Sequence, residues 1–405
     1  MKKILLVCNY ANAPKYSSLG FRHFYLAKEW INYGYEVTVL SSSYNHYMYK
    51  TPIIKKTFTE EIIDNIKFIW INNIKYNNPH GIFRILNWIY FSISCYRFKS
   101  DNYDVVICSS PSIFNIIPFL IKNYFKKNMK IIFEVRDIWP LTLTHIGNYS
   151  PSNPLILFLK FIERKSYQKS NAIVGTMGNL KSHIKNIISD KFTLKYIPQG
   201  FDINYLLNSK KYNINSIYKL PKKSKLVIGY AGSMSISNNL ETIILSARKI
   251  KEIDPNIHFY FLGDGLEREK LIKMSKDLNN VFFYKKVEKK YVLSFLNHCD
   301  VLYDSIKKSL VYQYGISRNK LIDYMYSSKP ILFSYDGYED VISKINNGFI
   351  VKPNNVNELT KKIIEISKID KKTLNKIGRR GKDYVIKKRQ FKHLALDYIK
   401  LIESI

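Results

Sequence analysis

The sequence predicts an α/β protein built from two Rossmann-like, doubly wound domains. Short apolar runs alternate with helical stretches along the chain, which is typical of parallel sheets with right-handed crossovers. The alternation starts again at residues 226–231, where the sequence reads LVIGYA. The length of 405 residues suits two domains, since a domain usually contains about 50–250 residues.

In the first half, each predicted strand is a short apolar run, and the predicted helix repeats apolar residues at helical spacing. Residues 3–8 (KILLVC) match a strand that is buried on both faces of a sheet. Residues 21–33 match a helix, and Gly34 is placed to end it. The other predicted strands of this half cover 36–40, 67–71, 104–108, 130–135 and 172–175.

The second half repeats this organisation. Its predicted strands cover 226–231, 258–262, 281–284, 300–303, 330–333 and 348–351. Its predicted helices cover 238–251, 266–278, 289–298, 319–328, 355–368 and 371–388. We therefore place one domain at 1–200 and a second at 201–390, with residues 198–225 as the connection between them. The final helix, 391–405, is apolar on one face and is expected to pack back on the first domain.

The charge balance is strongly basic. The chain has 64 Lys and Arg against 32 Asp and Glu, a formal net charge of +32. A solvated basic surface, attraction to an anionic membrane face and nucleic-acid binding all remain open as explanations. The cations are scattered, without zinc-finger spacing, an RNP-type aromatic string or a basic leucine zipper. We therefore expect an anionic inner-membrane surface among the partners and no specific nucleic acid.

The apolar runs of the sequence are short. None approaches the roughly 18–20 residues of a membrane span, and the run at 4–8 is too brief for a signal-peptide core. We expect a cytoplasmic protein that is peripheral on the cytoplasmic face of the membrane. The four cysteines lack metal-ligand or disulfide spacing and are interpreted as core residues: Cys8, Cys95, Cys108 and Cys299.

Residues 82–98 (IFRILNWIYFSISCYRF) bear on the membrane question. The segment is too short and too interrupted to span a bilayer. With its aromatic residues and the flanking Arg84, Arg97 and Lys99, it fits a helix lying in the membrane interface. It fits equally an ordinary core helix under a sheet, and both interpretations stay open.

Two glycine turns follow predicted strands of the second half, Gly232-Ser233 after 226–231 and Gly263-Asp264-Gly265 after 258–262. A glycine at this point lets backbone N–H groups approach a phosphate, and ligands of such sheets bind beyond the carboxyl ends of the strands. A tight structural turn explains the second one as well. Neither a complete G-x-G-x-x-G nor a Walker A sequence occurs, which disfavours dehydrogenases and P-loop NTPases.

The segment 315–325 (GISRNKLIDYM) carries the clearest signal. Ser317 is predicted to cap a helix whose first turn holds Arg318, Asn319 and Lys320. Cations at this helix end are disfavoured by about 0.3–1 kcal/mol, and a bound anion would reverse that cost. Asp323 lies one turn further on, where its carboxylate could accept two hydroxyl hydrogen bonds from a ribose. A capped helix with solvated charges is the alternative.

Two segments of the first half also follow strands. Residues 134–140 (EVRDIWP) place Glu134, Arg136 and Asp137 at the carboxyl end of a buried strand, where they fit either acceptor chemistry or a structural ion pair. Residues 17–23 (SSLGFRH) lie between the first strand and the first helix. Gly20, Arg22 and His23 in that segment are candidate acceptor-binding residues, and a polar helix start is the alternative.

These segments, in this order, resemble the GT-B glycosyltransferases of the large retaining family 4. The resemblance covers nearly the whole chain. The forms of 136–140 (RDIWP) and 317–321 (SRNKL) are most similar to the branch that includes O-antigen N-acetylfucosamine transferases. The matching segments are Gly20, 33–39 (YGYEVTV), 109–111 (SSP), 134–140, 197–202 (IPQGFD), Gly232-Ser233, Gly263-Asp264-Gly265 and 315–325.

The resemblance implies a fold and a reaction. Two Rossmann-like domains would face a cleft, with the acceptor on the N-terminal domain and a nucleotide-sugar, usually a UDP-sugar, on the C-terminal domain. The product would keep the anomeric configuration of the donor. Neither a metal nor a cofactor would be needed, because helix N-termini and basic side chains neutralise the diphosphate.

The resemblance also assigns donor-site residues. Asp323 matches the second acid of the family's E-x7-E motif and should hold the ribose, whereas Gly315 stands at the first acid and offers no carboxylate. Val287 is near the position where relatives bind the base. The family's usual cations after the Gly232 loop are absent. The expected donor-binding residues are Gly232, Ser233, Gly263, Val287, Ser317, Arg318, Asn319, Lys320, Leu321 and Asp323.

The catalytic candidates are Arg136 and Asp137, which match the strand end where many relatives place a catalytic His. The resulting hypothesis is a retaining, metal-independent glycosyltransferase that moves a sugar from a UDP-sugar to a lipid-linked saccharide in cell-surface polysaccharide synthesis, such as O-antigen, lipopolysaccharide or capsule. A UDP-sugar 2-epimerase of the same fold is one alternative. A non-catalytic binder of anionic lipid or nucleic acid, driven by the charge, is another.

Overall fold

The chain folds into two units, each built round its own sheet. We describe them from a computed structural model that defines residues 2–17, 20–78, 81–126, 129–221, 224–338 and 341–405. Unit 1 comprises Met1–Gln199 together with Phe391–Ile405, and unit 2 comprises Gly200–Gln390. The predicted α/β architecture with two Rossmann-like domains is confirmed.

The elements of unit 1 alternate as the sequence predicts. Its strands are β1 (Lys3–Val7), β2 (Glu36–Ser42), β3 (Phe58–Ile63), β4 (Ile66–Ile71), β5 (Val105–Ser109), β6 (Lys130–Val135), β7 (Ala172–Gly175) and β8 (Leu194–Tyr196). Its helices up to residue 199 are α1 (Arg22–Asn32), α2 (Ile82–Arg97), α3 (Ile117–Lys126), α4 (Leu141–His145), α5 (Pro154–Lys169) and α6 (Leu180–Lys185).

The sheet of unit 1 has the strand order β3-β4-β2-β1-β5-β6-β7-β8. All neighbours pair in parallel except β3, which runs antiparallel to β4 at the edge. Strand β3 was not predicted, because FTEEII is partly polar and partly exposed, as an edge strand permits. The order reverses direction between β1 and β5, so the carboxyl ends of these two strands flank the switch point where ligands of such sheets bind.

Unit 2 repeats the alternation. Its strands are β9 (Leu226–Ala231), β10 (Ile257–Leu262), β11 (Val281–Tyr284), β12 (Val301–Ser305), β13 (Ile331–Ser334) and β14 (Gly348–Val351). Its helices are α7 (Ile203–Ser209), α8 (Glu241–Ile253), α9 (Arg268–Met274), α10 (Lys289–Asn297), α11 (Asn319–Tyr326), α12 (Val341–Lys344), α13 (Val356–Ser367) and α14 (Lys371–Lys388).

The sheet of unit 2 is entirely parallel, with the order β11-β10-β9-β12-β13-β14. In sequence order this is 3-2-1-4-5-6, the arrangement of a dinucleotide-binding fold. Its switch point lies between β9 and β12. Every residue of both strands is buried, which explains why each is a short, mainly apolar run in the sequence.

Four further observations concern the sequence predictions. Residues 198–225, predicted as a connection, contain helix α7, and Leu206 and Ile214 from this stretch are buried in the unit 2 core. The last helix, α15 (Phe391–Ser404), packs on α1 within unit 1. All four cysteines are buried and free. No helix among the described residues is both long and apolar enough to cross a membrane.

Candidate functional site

The backbone at the switch point of unit 2 is unusually close-packed. Gly232 and Gly263 follow the adjacent strands β9 and β10, with φ angles of +155° and +150° that favour glycine. A Cβ atom on Gly263 would lie 1.9 Å from the carbonyl oxygen of Gly232. A Cβ atom on Gly232 would lie 3.0 Å from Nζ of Lys320. The two glycines therefore let the turns touch each other and let the Lys320 side chain cross the β9 turn.

Lys320 extends from the first turn of α11 into this switch point. Its ammonium lies 4.3 Å from the ring centroid of Tyr230 and donates to the Tyr230 hydroxyl at 2.8 Å. Nζ also lies 3.3 Å from Oδ1 of Asp304, and the Lys320 side chain is 17% exposed. Burial lowers the pKa of Lys320 to about 7, with Asp304 opposing the shift and Arg318 adding to it.

Asp304 forms the negative centre of the same cluster. It is the fourth residue of β12 and is fully buried. Arg318 meets its carboxylate with two parallel hydrogen bonds, Nε to Oδ2 and Nη2 to Oδ1, both 2.7 Å long. Nη2 of Arg318 also donates to Oδ1 of Asn238 at 2.8 Å. The guanidinium is therefore held on Asp304, which places Arg318 as a support beside Lys320 in this structure.

The sequence analysis did not select Asp304 or Tyr230. A signal existed for Asp304, because a charged residue inside an otherwise apolar buried strand requires a partner. Tyr230 lies within the run 226–231 and looks like an ordinary core residue. Its hydroxyl donates to the carbonyl of Ser233 and so fixes the turn that Gly232 begins.

Helix α11 begins at Asn319, the first residue of the predicted helix 319–328, but its cap differs from the predicted one. Arg318 is its N-cap residue and makes no side-chain capping bond, so the prediction of Ser317 as the cap is wrong. Arg318, which was expected in the first turn, is held by Asp304 in an extended conformation (φ −107°, ψ 117°) and therefore lies just outside the helix. Oγ of Ser317 is buried and finds no hydrogen-bond partner among the described residues.

The other predicted donor residues lie around this cluster. Leu321 is buried and Asn319 is exposed in the first turn of α11. Asp323 lies one turn further along, and its Oδ2 is 3.3 Å from Nζ of Lys289. Val287 lies in the loop between β11 and α10, partly buried against the core. The structure thus gathers the predicted residues of unit 2 at the carboxyl edge of one sheet.

Gly315 occupies the position where the resemblance expects an acid. Its φ of +99° lies in the region that favours glycine. It follows a 3-10 helix that ends at Tyr314, so the chain turns at this point. An acidic residue at position 315 would adopt this backbone conformation only at a cost, and the chain has glycine there without a carboxylate.

Unit 1 has a second polar cluster, centred on Glu134 at the end of β6. Arg22 donates to Oε1 of Glu134 at 2.8 Å, and the Tyr398 hydroxyl donates to the same oxygen. His23 Nε2 lies 2.9 Å from Oε2, and Ser109 Oγ donates to Oε2 at 2.6 Å. Burial by itself raises the pKa of Glu134, but Arg22 and His23 hold that pKa well below its usual range.

This cluster is closed to solvent. Arg22, His23 and Glu134 are at most 4% exposed, and Arg22 also donates to the carbonyls of Ile197 and Pro198. The contacts tie α1, β6 and α15 together. An acceptor-binding role for these three residues stays a prediction, and in this structure their side chains support the fold. Gly20 precedes α1 with a φ of +86°. Residues 18–19 of the predicted segment lie outside the described residues.

The predicted catalytic pair follows β6 directly. Oδ1 of Asp137 accepts from the Thr142 hydroxyl at 2.7 Å, and Oδ2 accepts from Trp139 Nε1 at 3.2 Å. The backbone N–H groups of Arg136 and Asp137 both donate to Oγ of Ser110. Asp137 is therefore held by its own turn, and its half-buried side chain stays near the switch point of unit 1.

Ligands for a metal are scattered. No group of three or more His, Cys, Asp and Glu among the described residues could hold a metal ion. The cationic residues at the unit 2 switch point, together with glycine turns and a helix N-terminus, suit an anionic ligand instead.

Comparison with known proteins finds a family model that matches part of the chain. Residues 214–384 match the family model described as Glycosyl transferases group 1. An uncharacterized glycosyltransferase of Methanocaldococcus jannaschii is 25% identical over 254 residues, which is 61% of this chain and 62% of that protein. The poly(ribitol-phosphate) alpha-N-acetylglucosaminyltransferase of Staphylococcus aureus is 22% identical over 316 residues, 76% of this chain and 56% of that protein. The chain thus spans about three fifths of the length of these curated relatives.

Solved structures match the fold along the whole chain. Sucrose-phosphate synthase from Thermosynechococcus elongatus superimposes with a TM-score of 0.74 at 13% identity, covering 100% of this chain and 99% of that one. Anabaena HepE, in complex with UDP and glucose, superimposes with a TM-score of 0.66 at 13% identity and covers 100% of both chains. At this identity the likeness establishes the GT-B type of fold.

Proposed function

We propose that this chain is a group 1 glycosyl transferase, the family whose model matches its residues 214–384, and that it transfers a sugar from a UDP-sugar to a lipid-linked saccharide acceptor. One observation carries the donor half of the proposal. The largely buried ammonium of Lys320 lies at the switch point of unit 2, between the Gly232 turn and the N-terminus of α11.

A diphosphate satisfies this arrangement better than other ligands. The N-terminus of α11 has free backbone N–H groups and a positive dipole end, and Lys320 adds a cation on the same side. The N–H groups of Gly232 and Gly263 donate to the carbonyls of Leu262 and Tyr284, so these glycines serve the site by leaving space for the Lys320 side chain. In the ligand-free protein the ammonium is poorly compensated, as its lowered pKa of about 7 indicates. A bound diphosphate would supply the missing negative charge.

The nucleoside would extend from the diphosphate toward Asp323 and Val287. Asp323 is one helical turn from Lys320, so its carboxylate could accept hydrogen bonds from both ribose hydroxyls. It would exchange its present partner, Lys289, for the ribose. Val287 lies beyond β11, where its backbone could contact the base. UDP in the complex of the HepE relative supports uracil as that base.

The finer features of the reaction rest on the resemblance and on one relative. We propose retention of the anomeric configuration, in keeping with the alpha linkage in the name of the Staphylococcus aureus relative. We further propose that positive charge from Lys320 and α11 stabilises the leaving diphosphate, since preorganised charge is often the largest catalytic contribution. The diphosphate would then accept the acceptor's proton, and activity would persist in EDTA.

The roles of unit 1 residues belong to the same proposal. Arg136 and Asp137 would act on the acceptor hydroxyl, and the acceptor would be a saccharide on a lipid carrier used in surface polysaccharide synthesis. Both residues follow β6, next to the strand β5 that borders the switch point of their own sheet. The branch assignment, O-antigen N-acetylfucosamine transferases, rests on the sequence motifs.

Calorimetric titration with UDP, GDP, ADP and TDP, with and without EDTA, tests the donor site. We expect selective binding of UDP that EDTA does not weaken. Lys320→Ala should lower the UDP affinity at least tenfold, because the ammonium is the nearest cation to the proposed diphosphate. Equal weak binding of all four nucleotides would refute the donor-site assignment and favour a charge-driven binder. Release of UDP only when a saccharide acceptor is present would separate a transferase from an epimerase.

A further inference from the structure

Three neighbouring helices of unit 1 expose a continuous apolar and aromatic surface. Helix α3 contacts both α2 and α5. We call the outward side of these helices the α2–α3–α5 face. Its exposed large apolar residues are Ile82, Phe83, Leu86, Ile89, Ile93, Tyr96, Ile121, Tyr124, Phe125, Leu157, Phe158 and Phe161.

Helix α2 is apolar on both sides. Its inner side, with Trp88, Phe91 and Cys95, is buried in unit 1. Its outer side carries exposed apolar residues at positions 82, 86, 89, 93 and 96, a stripe that follows the helical repeat along its whole length. A surface helix in water normally has a polar outer side. The inner side of α2 therefore fits the interpretation of residues 82–98 as a core helix. Its outer side fits the interpretation as a helix in the membrane interface.

Helices α3 and α5 extend the stripe. Tyr124 and Phe125, at the end of α3, are 76% and 75% exposed and stack edge to face on each other. Phe158 and Phe161 lie on successive turns of α5, and both are more than half exposed. A contiguous exposed apolar patch of this kind on a soluble protein marks a site of interaction.

The charges on the three helices are mostly positive. They contain eight cations and one acid, Glu163, which is buried against His183 at 2.7 Å. Asp101, beyond the end of α2, pairs with Lys126 at the edge of the face. The cations are Arg84, Arg97, Lys122, Lys126, Lys160, Arg164, Lys165 and Lys169.

The combination of aromatic residues and cations favours a lipid surface over other partners. A nucleic-acid site would need cations that track phosphates, and it gains little from exposed Ile and Leu side chains. A second copy of the chain would bring six further exposed cations against the same face, which is unfavourable. An anionic membrane interface matches both properties, since aromatic rings lie at headgroup depth and cations contact lipid phosphates.

We infer that the α2–α3–α5 face is the membrane-docking surface of this protein, and that it binds bilayers containing anionic phospholipid. The inference deepens the proposed function, because it gives unit 1 a means of reaching a lipid-linked acceptor. Only this link to a lipid-linked acceptor rests on the proposed function. The binding itself depends on the face alone and can be measured without any nucleotide.

Co-sedimentation of the full chain with vesicles tests the inference. The probes are vesicles of equal amounts of phosphatidylglycerol and phosphatidylcholine, with pure phosphatidylcholine for comparison. Two double variants alter the face, Phe83→Ser with Phe158→Ser and Lys160→Glu with Lys165→Glu. Two matched variants alter exposed residues of unit 2, Leu266→Ser with Leu310→Ser and Lys372→Glu with Lys376→Glu.

We expect the wild type and both unit 2 variants to bind the anionic vesicles, more weakly at high salt, and to bind pure phosphatidylcholine poorly. The apolar double variant should bind at least tenfold more weakly. The charge variant should lose about fivefold for each cation removed, and more because the charges are reversed. Equal binding by face variants and unit 2 variants would overturn the inference, since adsorption would then follow total charge. Sedimentation equilibrium showing a dimer that the Phe83→Ser, Phe158→Ser variant abolishes would also overturn it.

UDP titration of the same variants separates this inference from the proposed function. Face variants should bind UDP like the wild type, because their substitutions lie in unit 1 and the proposed donor site lies in unit 2. Vesicle binding without UDP binding would refute the donor assignment alone. If the wild type binds UDP but does not bind anionic vesicles, only the inference of a docking surface is refuted.

Discussion

The guanidinium of Arg318 forms two parallel hydrogen bonds with the carboxylate of Asp304, each 2.7 Å long. The pair links the N-terminus of α11 to the end of β12, so the only acid among the described residues of this cluster also fixes the position of the predicted anion-binding helix end. Lys320 lies 3.3 Å from the same carboxylate. Two cations of the proposed donor site therefore share one buried anion.

Asp304→Asn should destabilise unit 2 strongly. The change leaves the poorly exposed guanidinium of Arg318 without a counter-charge, and breaking a buried pair in this way costs about 3–5 kcal/mol. Urea unfolding of the wild type and the variant at neutral pH measures the difference. A loss below about 1 kcal/mol would show that the pair contributes no more than a surface salt bridge.

Asp323→Asn is expected to change the stability little and to weaken UDP binding. Asp323 pairs with Lys289 at a partly exposed site, so its charge should contribute at most about 1 kcal/mol to stability. If it holds the ribose, UDP affinity should fall about tenfold, because two hydroxyls lose a charged acceptor. Calorimetry with UDP measures the change in affinity, and urea unfolding of the same sample measures the change in stability. Unchanged UDP affinity would remove Asp323 from the donor site.

UDP binding should weaken as the pH rises through neutrality. The ammonium of Lys320 has a pKa of about 7 in the free protein, and a diphosphate binds the charged form. The affinity should therefore fall about fivefold between about pH 7 and about pH 8, and binding should take up a proton. Calorimetry in buffers of different ionisation enthalpy measures that uptake.

Lys320→Arg supplies the control for the pH experiment. Arginine stays charged at every pH used, so this variant should bind UDP with little pH dependence over the same range.

Lys320 also predicts a stability change. The unfolded chain holds its proton up to about pH 10.5 and the folded chain only up to about pH 7, so the wild type should gain stability between these values. The arginine variant should lack that gain.

Gly263→Ala should damage the fold of the proposed site. The new methyl group would lie 1.9 Å from the Gly232 carbonyl oxygen, so one of the two turns must move. Gly34→Ala is the matched control, since Gly34 has a φ of +86° and nothing within 4 Å of the added atom. The control should lose about 1–2 kcal/mol from backbone strain alone. Gly263→Ala should lose clearly more stability, together with UDP binding, and equal losses would show that the close contact is unimportant.

Glu134→Gln should destabilise unit 1 at neutral pH. The amide leaves Arg22 as a buried, uncompensated cation, at a cost of about 3–5 kcal/mol. Because the pKa of Glu134 is depressed, the stability from its charge is present above about pH 4.5 and is lost as the pH falls below that value. The difference in the free energy of unfolding between wild type and variant should therefore become smaller in acid.

Tyr398→Phe provides a graded comparison for Glu134→Gln. It removes one hydrogen bond to the carboxylate but keeps the charge pair, so it should cost about 1.5–3 kcal/mol. Urea unfolding at about pH 7 and about pH 4 serves all three proteins. A gap that does not narrow in acid would mean that the ionised carboxylate is not what stabilises this cluster.

Local patterns determined most of the architecture from the sequence. The strands 130–135, 172–175 and 226–231 were predicted to the residue, because a parallel strand buried on both faces must be a short apolar run between turns. The helix 371–388 was equally clear from its repeat. Strand β3 could not be predicted in this way, because its polar residues are acceptable only at an edge that the rest of the sheet creates.

The sequence by itself determined the two α/β units, the glycine turns at their strand ends and the cationic start of α11. Only the tertiary structure decided which charges meet. Tyr230 and Lys320 are 90 positions apart, and Glu134 and Tyr398 are 264 apart. A hydrogen bond or an ion pair depends on distances of a few ångströms, and the chain's local pattern does not specify these across such separations. Hence the sequence identified Lys320 as a candidate, but only the fold showed that Asp304 holds it beside Arg318.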